Sequence, residues 1–353
     1  MHRRTFLATA AAALAAPAWA DAGAPCYLTA AAKPDLSTWL VGLSDRGTVL
    51  FQIPVPDRGH AAAAHPFRAE AVAFARRPGR FAVVLECPTG AEIARLHAPE
   101  GRHFYGHGAF TADGRYLLTT ENDFDAPDGR IGVWDAQAAY ARVDDLPSGG
   151  IGPHEILHLP GGGFAVANGG IQTHPDFGRA KLNLPTMAPN LTYLDEGGAI
   201  VDQVHPPSDM RLNSIRHLDV DADGRIAIAL QWQGAPQQIV PLAAQHVRGA
   251  PLRYLPHPAT ATLRQFGGSV AIARDGSVIA VTGPKGDHVL YFDGRDGTPR
   301  GADRLAEASG VAQHGRGLAL TIQGGMALRE NGSTAQFPVA GDWSWDNHLV
   351  RIV

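Results

Sequence analysis

Cysteine is nearly absent, with only Cys26 and Cys87 among 353 residues. That excludes a disulfide-dense scaffold, and without a Cys-x-x-Cys pair or a haem-attachment motif it also removes the usual thiolate metal and redox sites. Charge is sparse too, at 18% of residues with a net charge of -4. Nucleic-acid binding calls for a basic face, which 30 Lys+Arg against 34 Asp+Glu do not supply. Beyond the N-terminus no apolar run reaches the ~18 residues that a membrane-spanning helix needs. Long stretches of 3.6-residue periodicity are missing, so helices are few. Gly-x-Ser-x-Gly, Walker and dinucleotide fingerprints are missing as well, which leaves nucleophile and phosphate chemistry without local support.

What is present is apolar and turn-rich. Hydrophobic residues make up 45%, enough for a large core, and 41 Gly with 26 Pro imply many short elements joined by tight turns. Sixteen His is a high count that invites a positional test.

Residues 1–20 read as an export signal. Arg3 and Arg4 form a twin-arginine pair, an apolar run follows from Leu7 to Ala16, and Ala18-Trp19-Ala20 supplies a small-x-small cleavage pattern. The expectation is a soluble periplasmic protein exported by the twin-arginine route, with residues 21–353 as one domain. An oxidising compartment permits a Cys26–Cys87 disulfide, with two separate thiols as the alternative.

One phrase recurs along the chain: a short apolar strand, a turn usually centred on Asp-Gly, and a second apolar strand. It runs through Asp113-Gly114, Asp223-Gly224 and Asp275-Gly276, with looser copies around Gly79, Gly161 and Gly315. Innermost strands are expected near residues 71, 108, 155, 218, 269 and 310. A period of ~40–50 residues with about four strands per unit is the signature of a β-propeller. Three N-terminal strands (27–31, 39–43, 49–53) lack an inner partner, and the C-terminal strand from Asn347 lacks outer ones. Pairing them completes a seventh blade. The sequence therefore predicts an all-β, seven-bladed propeller closed between its two ends.

In such a ring, residues at the starts of inner strands and the ends of second strands share one funnel. His107, His154 and His217 each stand seven residues before a hairpin glycine, so three successive blades place a histidine at one structural position. Imidazoles converging from separate strands suit copper, iron or zinc. His174, His348 and Glu121 are further candidate ligands. Glu86, Asp123, Glu155, Asn168, Arg216 and Gln231 are expected as polar funnel residues. His97, His205, His246 and His257 read as surface residues. Equal spacing within a repeat also fits structural or substrate-binding histidines, and that alternative stays open. A long insertion from Gln172 to Asn190 falls on the funnel face.

Several phrases resemble a known family. These are Thr119-Thr120-Glu121-Asn122-Asp123, the run Gly150 to Glu155, Ala167 to Pro175, Lys181 to Leu184, and Ser214 to Leu218, together with the twin-arginine leader. They resemble a bacterial domain-of-unknown-function family (number fifteen-thirteen) of exported, propeller-like proteins. The resemblance implies a seven-bladed propeller set beside imelysin-type periplasmic proteins linked to iron uptake. It implies no activity, and it marks the same His107, His154, His174 and His217. The leading expectation is a periplasmic propeller that binds iron or copper in its funnel, accessory to metal acquisition or handling. Two alternatives stand beside it: a non-enzymatic platform for an imelysin-type partner, and a metal-assisted hydrolase or oxidoreductase.

Overall fold

In a computed structural model, residues 19–76, 79–178 and 180–352 are described. They form seven antiparallel sheets arranged as blades. Blade 2 comprises Gly59–Ala64, Glu70–Ala75, Phe81–Glu86 and Ala91–His97; blade 3, Arg102–Phe110, Tyr116–Asp123, Asp128–Asp135 and Ala141–Pro147. Blade 4 runs through Pro153–His158, Phe164–Asn168, Asn190–Leu194 and Ile200–Val204, and blade 5 through Asn213–Val220, Ile226–Trp232, Ala243–His246 and Arg253–Tyr254. Blade 6 is built from Ser269–Ile272, Val278–Gly283, His288–Asp293 and Pro299–Arg304, and blade 7 from Val311–His314, Gly317–Ile322, Gly325–Glu330 and Ser333–Pro338. Each follows chain order from the centre outwards. The only helices among the described residues are short 3-10 turns.

Blade 1 closes the ring. Tyr27–Ala32, Thr38–Leu43 and Val49–Val55 are joined by the C-terminal strands, with Trp345 paired to Ala31 and Val350 to Leu28. Closure by both chain ends leaves no blade missing its inner strand, as the sequence predicts. The expected export segment, residues 1–20, lies almost wholly outside the described residues. Trp19, at its end, is buried between blades 1 and 2 and donates its Nε1–H to the carbonyl of His65.

The core is seven separate apolar layers, one between each pair of neighbouring blades. Side chains alternate across a strand, so Val270 and Ile272 pack towards blade 5 while Ala271 and Ala273 pack towards blade 7. A blade with neighbours on both faces must be apolar on both. That is why the second strands read as continuous apolar runs such as Ile226-Ala227-Ile228-Ala229-Leu230.

One assignment differs from the sequence reading. The innermost strand of blade 2 is Gly59–Ala64, and Ala71 lies on the second strand. The turn between them carries His65 and Pro66 in place of an Asp-Gly pair, and the His65 ring nitrogen accepts the backbone N–H groups of Phe67 and Arg68. Shifted by one strand, Glu86 ends the third strand and leaves the funnel; its carboxylate accepts the hydroxyl of Thr89. Cys26 and Cys87 are separate thiols.

Candidate metal centre

Five histidines meet at the ring axis: His60, His107, His154, His217 and His348. Each comes from the innermost chain segment of a different blade, 2, 3, 4, 5 and 1 respectively. Neighbouring ring centroids are close, with His107–His348 at 4.5 Å, His60–His348 at 4.6 Å, His217–His348 at 4.7 Å and His154–His217 at 4.8 Å. His60, His107, His217 and His348 are buried, and His154 is half-buried.

The backbone explains the convergence. An inner strand in regular pairing sends its side chains into the two inter-blade layers, not towards the axis. Pairing register breaks between Gly59 and Ala62, between Phe104 and Gly108, between Pro153 and Glu155, and between Ile215 and His217. In blade 1 the inner strand is interrupted between Trp345 and Val350, where His348 sits. Irregular pairing of this kind re-aims side chains. Blades 6 and 7, which supply no histidine, keep unbroken inner registers.

Carboxylates orient part of the cluster. His60 Nδ1 donates to Asp346 Oδ1 at 2.8 Å, the arrangement by which a carboxylate orients a histidine whose Nε2 faces a metal. Burial alone would raise the Asp346 carboxyl, but His60, His348 and Arg76 hold it well below the ordinary carboxylate range. Glu155 lies 3.3 Å from His217 Nδ1 and 3.7 Å from His107 Nδ1, and burial pushes its pKa up to about 8 although Leu218 N–H donates to it. The imidazoles of His107, His154, His217 and His348 are all held well below their usual value, chiefly by burial and then by the crowding of the other imidazoles and of Arg216 or Arg76 around them, which disfavours protonating any one of them. Neutral imidazole is the form that ligates a metal. Among the described residues, buried His107 Nε2, His154 Nδ1 and His348 Nε2 have no hydrogen-bond partner. Unsatisfied buried nitrogens cost about 1–3 kcal/mol each, a cost that coordination to a cation removes. Three groupings lie with ligand atoms within 4.8 Å of one another: His60, His107 and His154; His107, His217 and His348; His60, Asp346 and His348.

The expected histidines from blades 1, 3, 4 and 5 are therefore brought together. His60 and Asp346 were missed. His60 has no hairpin glycine seven residues later, yet it precedes His107 by the same 47 residues that separate His107 from His154, and that spacing was the available signal.

Other expected residues lie elsewhere. Glu121 is fully buried in blade 3, where Arg142 donates to both its oxygens at 2.6 and 3.0 Å and Arg102 lies at 3.5 Å. It is a structural anion, not part of the histidine cluster. His174 sits in the blade 4 insertion, its Nδ1 accepting Asp176 N–H and its ring against Phe124 and Phe177, apart from the cluster. Asp123 pairs with Arg102 at 3.6 Å and caps Ala126. Asn168 is buried, donating to Ser148, Asn190 and Thr192 and so holding the strand ends of blade 4. Gln231 donates to Gly267. Arg216 stands in the register break beside His217, and its charge acts on His107, His154 and His217. His246 and His257, expected at the surface, are buried structural residues bonded to Tyr193 and to Gly301.

The insertion packs against blade 3, where Tyr105 Oη contacts Thr173 at 3.2 Å and Asn122 donates to its carbonyl. Asn183 ties it shut by accepting from Gln172 and donating to Gly170. Gly170 has φ +73° and its missing Cβ would fall 2.5 Å from Pro189 N, so only glycine fits there.

Solved structures with the same fold include hydrazine synthase of Kuenenia stuttgartiensis, at 14% identity and TM-score 0.62, covering 96% of this chain and 100% of that one. The Cps50 (Swd1) β-propeller domain of Myceliophteria thermophila matches at 11% identity and TM-score 0.58, covering 90% and 98%. Both likenesses are of fold alone. No curated protein matches the sequence. Residues 53–352 match the family model described as "Protein of unknown function (DUF1513)", and the chain belongs to that family.

Proposed function

We propose that this protein binds one transition-metal ion, iron or copper, at the histidine cluster on its axis and serves metal acquisition or handling in the periplasm. The observation that carries the reading is that histidines with buried, unpartnered nitrogens fall into ligand groupings across blades, His107 and His348 with His217, and His107 and His154 with His60. An imidazole-rich, carboxylate-supported donor set suits borderline divalent ions over magnesium or calcium. The twin-arginine leader supports export of a folded, metal-bearing protein. The test is elemental analysis of untagged protein isolated from the periplasm, compared with a folded His107→Ala, His154→Ala, His217→Ala variant. Near-stoichiometric iron or copper lost in the variant supports the proposal; absence from both, even after anaerobic reconstitution, overturns it.

A second reading is a platform for an imelysin-type periplasmic partner. It is favoured by Phe177 and Leu182, 61% and 39% exposed on the blade 4 insertion. Capture of such a partner by both the wild type and the triple variant would support it.

A further inference from the structure

The histidines surround the axis unevenly. Five blades contribute one each, whereas the inner strands of blades 6 and 7 begin with Ser269 and Val311, neither a metal ligand. On that side lies a cavity of about 560 Å³ that reaches the cluster, with His217 and His348 among its lining residues. It extends along the inner strands of blades 5, 6, 7 and 1 to the lower face, where Ala222 and Arg274 of the hairpin turns line it. His348 is 6% exposed, and its Nε2 is one of the unpartnered nitrogens.

Resting on the metal-binding reading, we propose that the metal is open on its blade 6–7 side and takes a small anionic donor ligand through this channel. A structural metal site is closed by protein ligands; a site with room for an outside ligand serves exchange or catalysis. Imidazole ligands carry no charge, so a cation held mainly by them keeps most of its own. Arg274 and Arg351 line the same cavity, and Arg351 donates to the neutral Gln313 Oε1 at 3.0 Å. The cavity's carboxylates are already engaged. Glu155 accepts the Leu218 N–H and lies 3.3 Å from His217 Nδ1, Asp219 accepts the N–H groups of Val220 and Ile272, and Asp221 pairs with Arg225 at 3.4 Å. These features favour an anionic over a neutral ligand.

The experiment is to load the protein with cobalt(II), establish the metal content, and titrate with azide and, separately, neutral imidazole while following the visible ligand-field spectrum. Azide should move the spectrum in a saturable manner. Arg274→Gln with Arg351→Gln should weaken azide by about 3- to 10-fold and leave imidazole unchanged. Gln313→Trp, placed in the cavity wall at a half-buried position, should retain cobalt but lose the azide response. Cobalt bound stoichiometrically with a spectrum indifferent to azide would overturn the open site and leave metal binding standing. No cobalt bound at all would overturn the metal reading itself. If Gln313→Trp does not fold, the arginine pair decides: equal loss of azide and imidazole affinity overturns the preference for anions.

Discussion

His60 and Asp346 form the best-defined pair in the cluster, and Asp346 also receives Arg76 at 3.3 Å and Arg58 at 3.6 Å. A carboxylate behind a ligating imidazole fixes its tautomer and raises its basicity. Asp346→Asn is expected to weaken metal affinity by about 10- to 100-fold, measured by competition with a chelator of known affinity. An unchanged affinity would remove Asp346 from the site. Glu121 supplies the contrasting case, since Arg142 and Arg102 enclose its buried carboxylate. Glu121→Ala would remove the two charge-assisted hydrogen bonds from Arg142 while Asp123 and Asp145 still face the arginines, an expected loss of about 1.5–3 kcal/mol in denaturant unfolding, with metal content unchanged in the folded fraction. Loss of metal without loss of stability would return Glu121 to the ligand list. Residue type and motif membership favoured Glu121 in the sequence, but it lies on an alternating strand, and its neighbours decide which charge it answers.

At the scale of the element, the blade 2 hairpin shows how a repeat is lost to view. Blades 3, 5 and 6 turn on Asp-Gly, whereas here an imidazole does the work of the aspartate by accepting the N–H groups of Phe67 and Arg68. Burial, aided by Arg68, lowers the His65 pKa from 6.5 to about 4. Between those values the unfolded chain binds the proton and the folded one does not, so stability falls as pH is lowered from about 6.5 towards about 4. Asn can accept the same turn hydrogen bonds without titrating. His65→Asn should therefore flatten the acid limb of a stability–pH profile, by up to about 1.4 kcal/mol per pH unit. Parallel profiles for wild type and variant would show that His65 does not titrate in this way. The blade 4 insertion is a second element whose role came from packing. Its length pointed to the funnel face, but its tether through Thr173 and Asn183 depends on blade 3 and on Gly170.

Across the whole molecule, the closing segment carries both architecture and chemistry. Ser344–Trp345 and Val350–Arg351 complete blade 1, and between them lie Asp346 and His348. Without them Tyr27–Ala32 becomes a bare sheet edge, and the layer between blades 7 and 1 loses Trp343, Trp345 and Leu349. Deletion of residues 342–353 is expected to abolish the single cooperative transition in calorimetry and to produce aggregates in size-exclusion chromatography. A monomer that still unfolds in one transition would mean that six blades and a partial seventh close on their own.

Local chemistry made much of this legible in advance. The apolar runs, the Asp-Gly turns and their 40–50-residue period specify strands and blades, because turn geometry and two-sided burial act over a few neighbouring residues. Four of the five axial histidines could be placed the same way, by their position in the repeat or at the closing strand. Tertiary structure alone decided the rest. Register breaks in four inner strands turn the imidazoles towards the axis, His60 meets Asp346 across 286 residues, and blades 6 and 7, with no histidine in the axial cluster, border the cavity beside it. Those features arise only when separate blades are brought around a common axis, where the contacts that fix each side chain come from residues far away in the chain.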